Sequence, residues 1–229
     1  MSTLTKVARY HLMDRLQYVI LPCGVTAFAF LVNLVIFTMV PTPAGGAFTG
    51  GLSTLLALLF FPGARSVTRL LPFGFALGLS RRSYYLGTLA FFGALAAVYA
   101  LGVTVLQGVE GATGGWGVSM HFFRIPWILD GPWYLTWLTS YVVLTLVFVY
   151  GMWFGLIYRR WNQAGVVIFT AAQVAVLVVA ALAITWLDGW SGVGGFFATL
   201  SALGLTGVLV LATAALAFGG FTTMRRVTV

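Results

Sequence analysis

Polar and apolar positions fall in blocks along this chain. They show neither the alternation of a half-buried strand nor the one-sided stripe of a surface helix. Charge-free apolar runs occupy residues 18–40, 48–64, 84–107, 135–158, 164–187 and 197–219. A helix rises ~1.5 Å per residue, so about 20 apolar residues cross a hydrocarbon layer. The second run is short and is expected to continue past Pro62 toward Arg69. The pattern predicts an all-α integral membrane protein with six transmembrane helices, forming one domain over residues 1–229. The first run is expected to be a retained span: it starts after 17 residues and exceeds the usual apolar core of a cleaved leader.

The segments between the runs carry the charge, and they carry it unevenly. Lys6, Arg9, Arg15, Arg65, Arg69, Arg81, Arg82, Arg159, Arg160, Arg225 and Arg226 fall in alternate segments with a single acid, Asp14. The other segments hold one cation, Arg124, and the acids Glu110, Asp130 and Asp188. Basic residues gather on the cytoplasmic side of membrane proteins, so both termini are expected there. The N-terminal arm, 1–17, is amphipathic. Leu4, Val7, Ala8, His11 and Leu12 share one side and Lys6, Arg9, Met13 and Gln17 the other, with Arg15 breaking the pattern. Such a helix can lie in the inner interface with its cations near anionic headgroups. The longest outer segment, 108–134, carries Trp116, Phe122, Phe123, Trp127 and Trp133. Aromatic rings favour the water–lipid boundary, and the segment reads as an interfacial helix, a lid or a plain aromatic belt.

Composition removes whole classes. Of 229 residues 61% are hydrophobic and 7% charged, whereas soluble domains carry roughly a quarter charged residues. The net charge of +8 is dispersed in small groups rather than on one basic face, which speaks against nucleic-acid binding. Cys23 is the sole cysteine, so it forms no internal disulfide and reads as a small apolar side chain. No predicted span holds an Asp, Glu, Lys, Arg or His in its interior, which argues against proton relays, pumps and voltage sensors. A rhomboid-like hydrolase needs a histidine inside the membrane, yet His11 and His121 lie outside the spans. His121, Glu110 and Asp130 match no metal-ligand spacing. Lys6 is the only lysine and follows no glycine loop, so the chain has no phosphate-binding loop and no catalytic residue is assigned. Polar side chains inside the spans are Thr26, Asn33 and Gln173, candidates for a substrate path or for hydrogen bonds between helices. Gly151 and Gly155, four apart, permit close helix approach without saying to which helix.

One cytoplasmic loop, residues 70–82, departs from the rest. Its middle is apolar from Leu70 to Leu79 but too short to span, and arginines flank it on both sides. Pro72 suits the first turn of a short helix, and Gly78 with Ser80 suits its end. Such a helix would present Phe73, Phe75, Leu77 and Leu79, a cluster that in water would be an aggregation patch. Either it folds beneath the membrane against its own helices, or it plugs into a groove on a cytosolic partner with Arg81 and Arg82 on the rim.

The stretch 71–88, with Pro72, Phe73, Gly78, Ser80, Arg81 and Arg82 at their positions, resembles the loop between the second and third spans of ABC-2-type permeases. These are membrane subunits of ATP-binding-cassette exporters, in bacteria set in the plasma membrane. The resemblance implies that the loop is a coupling helix docking on a cytosolic ABC ATPase subunit, through Pro72, Phe73, Phe75, Leu77, Gly78, Ser80, Arg81 and Arg82. It implies a second permease chain, identical or paralogous, and ATP with Mg²⁺ on the partner rather than on this chain. Without intramembrane charge, an amphiphilic or hydrophobic substrate is expected. Some relatives carry a pair of re-entrant helices before the last span, for which 188–196 is too short. A non-transporting membrane scaffold that recruits a cytosolic protein would use the same loop and remains the alternative.

Overall fold

The computed structural model describes residues 16–40, 46–76, 78, 80–125 and 131–225, apart from the side chains of Phe73, Ala198 and Arg225. The architecture is all-α. Among the described residues four helices are long and apolar enough to cross a membrane: Leu16–Met39, Arg81–Ala112, Trp133–Trp186 and Ala202–Met224. In chain order, α1 is Leu21–Met39, entered through one π-helical turn, Leu16–Ile20. A two-residue strand, β1 (Ala47–Phe48), precedes α2 (Leu52–Arg65).

The short apolar run continues past Pro62 as expected, and goes on beyond Arg69. α2 passes through Pro62 and continues as a π-helical stretch, Ser66–Leu70, directly into α3, Leu71–Ala76. Pro62 lacks an N–H and its ring crowds the preceding turn. The widened turns just beyond it take up that strain, and the Ser66 hydroxyl bonds the Gly63 carbonyl. The loop helix expected as a separate element is thus the end of one unbroken helical run. Gly78, in the left-handed region at φ +76°, donates its N–H to the Phe75 carbonyl and stops it. Ser80 then caps α4 (Arg81–Ala112), its hydroxyl accepting from the Ser83 N–H at 3.1 Å.

The longest helix, α5 (Trp133–Trp186), is broken at Asn162, whose φ of 54° and ψ of −153° reverse the chain. Its arms, 133–161 and 163–186, run back along each other. Tyr150 donates to Gln173, and the Phe154 and Phe169 rings meet at 5.4 Å. The last apolar run begins later than its composition suggests. α6 (Trp190–Thr199) ends at Leu200, and α7 (Ala202–Arg225) starts beyond Ser201, whose hydroxyl accepts from the Gly204 N–H.

Two apolar clusters stack along the bundle. One joins Tyr18, Val67, Leu71, Tyr84, Phe148, Leu156 and Met224, at the end where the arginine pairs lie. The other joins Leu52, Leu55, Val103, Met120, Phe122 and Leu144 near the Glu110 end. α2 and the first arm of α5 meet backbone to backbone through Gly63, Gly151 and Gly155. A Cβ at these positions would lie 2.3, 2.2 and 2.5 Å from a carbonyl oxygen of the facing helix. The Gly151–Gly155 pair therefore serves packing within the chain. α7 is pinned where the Tyr85 hydroxyl bonds the Ala217 carbonyl and the Trp153 indole bonds the Leu216 carbonyl.

Candidate functional site

The turn between α3 and α4 holds most of the loop residues singled out by sequence. Helical spacing puts Leu71, Gly74 and Phe75 on one side of α3. Leu71 and Gly74 are buried, and Phe75 is half-buried against Leu71 and the first apolar cluster. Phe75 therefore packs on this chain's own helices, the first of the two arrangements that the sequence leaves open for the loop. The reason is the unbroken run from α2: α3 stays at the bundle's edge, so its inner face meets Val67 and Tyr84. The Arg81 guanidinium lies over the Phe75 ring, 5.9 Å from its centre.

Gly78, Ser80, Arg81 and Arg82 are exposed, and Pro72 is half-buried. Both arginines occupy the first turn of α4, where the helix macrodipole is itself positive. The local field is therefore strongly cationic and suited to an anionic group on whatever faces it. The Phe73 side chain, Leu77, Leu79 and most of the N-terminal arm lie outside the described residues.

The three polar span residues do not converge. Thr26 is buried on α1, its hydroxyl without a partner, beside a cavity of about 290 Å³ shared with Cys23, Phe30, Tyr99 and Phe123. Asn33 turns back on its own helix, its amide donating to the Ala29 carbonyl at 2.8 Å. Gln173 accepts from Tyr150 and ties the two arms of α5 together. For Gln173 the bond between helices, rather than a path, is what the side chain makes.

Sequence reasoning missed the best-satisfied polar group. Glu110, buried at the end of α4, accepts from the Phe122 and Phe123 N–H groups, each at 2.9 Å. It also accepts from the Trp116 indole at 3.0 Å and the Arg124 N–H at 3.2 Å, and His121 Nδ1 stands 3.4 Å from its second oxygen. The carboxylate staples the segment that follows α4 to the end of that helix. Between 113 and 125 that segment forms an irregular turn, with positive φ at Trp116 and Gly117, and then a strand, β2 (Met120–His121), paired in parallel with β1. It is a plug with Met120, Phe122 and Phe123 buried, rather than a helix in the interface. The lone acid at the end of an apolar run was the available signal, but nothing in the sequence says that backbone N–H groups would surround it. With those donors in place Glu110 has little capacity left for a metal, and Asp130 lies outside the described residues. Among the described residues no three His, Cys, Asp or Glu side chains form a metal-holding group.

No family model, curated protein or solved structure matches this chain.

Proposed function

We propose that this chain is the permease subunit of an ABC exporter. It would cross the membrane six times with both ends in the cytoplasm. With a second permease copy it would form a path for an amphiphilic or hydrophobic substrate. ATP hydrolysis in a separate cytosolic subunit would drive it. The observation that carries the reading is the exposure of Gly78, Ser80, Arg81 and Arg82 at the turn where the helical run ending at Ala76 gives way to α4. A partner pressing on that turn would move both runs, because Leu71 and Phe75 clamp its base to the core. Coupling in this form is a lever with a cationic tip. Its energy is the partner's differential affinity for two permease conformations. The hairpin at Asn162 and the run from α2 into α3 support the six-pass reading, and the charge asymmetry supports the orientation.

The inward packing of Phe75 favours a second reading. It leaves less apolar surface for a motor to grip, as suits a scaffold that recruits a cytosolic protein without transport. Purification of the tagged chain from native membranes separates the two. The exporter reading expects a co-purifying nucleotide-binding subunit whose ATP hydrolysis falls at least tenfold in Arg81→Glu/Arg82→Glu, with the helical content of the chain unchanged. Recovery of the chain with no nucleotide hydrolase, or hydrolysis indifferent to the charge reversal, overturns it.

A further inference from the structure

We propose that the cleft between the first turns of α4 and the last turns of α7 binds one anionic phospholipid. The cleft holds about 770 Å³, within the roughly 300–1,000 Å³ of ordinary ligand sites. Arg81 and Arg82 line one part of it, and Leu86, Leu89, Phe218 and Phe221 line the rest. Its one hydroxyl, that of Tyr85, is already donated to the Ala217 carbonyl, so the walls beyond the arginines are apolar. Phe218 is 71% exposed and Leu86 46% exposed, so the cleft opens sideways, where acyl chains would enter.

Two demands meet here. The cationic part calls for an anion, and basic pockets between membrane helices on the cytoplasmic side take acidic headgroups. The apolar walls call for hydrocarbon, which a nucleotide or free phosphate would leave uncovered. A phospholipid with a net negative headgroup answers both, with its phosphate at Arg81 and Arg82 and a chain along Leu86, Leu89 and Phe218. Charge complementarity thus names the occupant. The proposal goes beyond the transport reading and does not depend on it, since the cleft belongs to this chain alone.

The test is native mass spectrometry of the purified full-length chain in detergent, titrated with phosphatidylglycerol, with phosphatidylcholine of the same chains, and with glycerol phosphate. The expected result is one retained phosphatidylglycerol, at least tenfold preferred over phosphatidylcholine, with no retention of glycerol phosphate. Arg82→Gln lowers the preference about fivefold, the ~1 kcal/mol a basic side chain is worth at an anionic surface. Leu86→Gln/Phe218→Gln weakens retention of both lipids alike, and Arg159→Gln/Arg160→Gln changes nothing. Arg82 and Leu86 are exposed, so these variants are expected to fold. Equal retention of the two lipids overturns the proposal. So does competition by glycerol phosphate, which marks a soluble-anion site, or an equal loss in the Arg159/Arg160 variant, which marks diffuse surface charge. Both readings use Arg81 and Arg82, but lipid retention is read here without any nucleotide-binding subunit, so failure of the lipid site leaves the exporter reading standing.

Discussion

Adding a single methyl group at Gly151 tests the packing of this fold. The Cβ of Gly151→Ala would lie 2.2 Å from the Phe60 carbonyl oxygen, 3.1 Å from its carbon and 3.2 Å from the Ala64 nitrogen. Ordinary contact begins near 3.4 Å, so α2 and the first arm of α5 must part by about 1.2 Å. The obstacle is backbone in a helix and cannot swing aside as a side-chain tip would. A gap of 0.5–1 Å already forfeits a quarter to a half of each dispersion contact along the seam. Leu59, Val67, Phe148, Met152 and Leu156 are the buried residues that would lose them. Overpacking of this kind costs about 1–3 kcal/mol, against a gain of ~1 kcal/mol from replacing helical glycine by alanine. Gly102→Ala in α4 supplies the control, because nothing lies within 4 Å of its Cβ and only the helix-propensity gain remains. Thermal unfolding of the full chain in detergent, followed by circular dichroism, is expected to place Gly151→Ala below and Gly102→Ala at or above the parent. The reasoning is refuted if Gly151→Ala is as stable as Gly102→Ala. A change in oligomer mass without a change in unfolding would instead put the glycine seam between two chains.

Three further outcomes are expected. Glu110→Gln puts an amide where four N–H groups need acceptors and is expected to cost about 1.5–3 kcal/mol, with proteolysis between 113 and 125 accelerated; cleavage at the parental rate would show that Glu110 holds nothing down. Gly78→Ala forces an L side chain into the left-handed region at φ +76° and is expected to lower stability by about 1–2 kcal/mol in the same unfolding assay, an unchanged midpoint arguing against the tight turn. A double-mutant cycle of Tyr150→Phe and Gln173→Leu is expected to give a coupling of about 0.6–1.7 kcal/mol, as hydrogen bonds between membrane helices do, and strict additivity would refute the tie between the two arms.

The long apolar helices were legible because block composition is a strong signal, and Ser80 and Gly78 announced the turn they make. The rest depended on pairings that a linear pattern does not contain. Gly151 and Gly155 were visible as a motif, but their partner Gly63 lies some ninety residues away and could be matched only in space. Phe75 looked available because its neighbours are apolar and its loop is short. Its partial burial follows from the helical run going on beyond Arg69 into α3, where Pro72 reads as the start of a separate helix. The aromatic segment suggested an interface by composition, yet Phe122 and Phe123 point inward because their backbone N–H groups seek the Glu110 carboxylate. Ser201 separates α6 from α7 inside what reads as one apolar run, since a single capping hydroxyl barely alters mean hydropathy.

The reversal at Asn162 bears on how the chain reaches its final place. With one residue between the arms, there is no tether on which the first could settle while the second waits in water. Once the leading arm enters an apolar phase, its follower can only lie alongside it. Side by side, the two arms pair the Tyr150 hydroxyl with the Gln173 carbonyl, so that in an apolar phase neither polar group would be left without a partner.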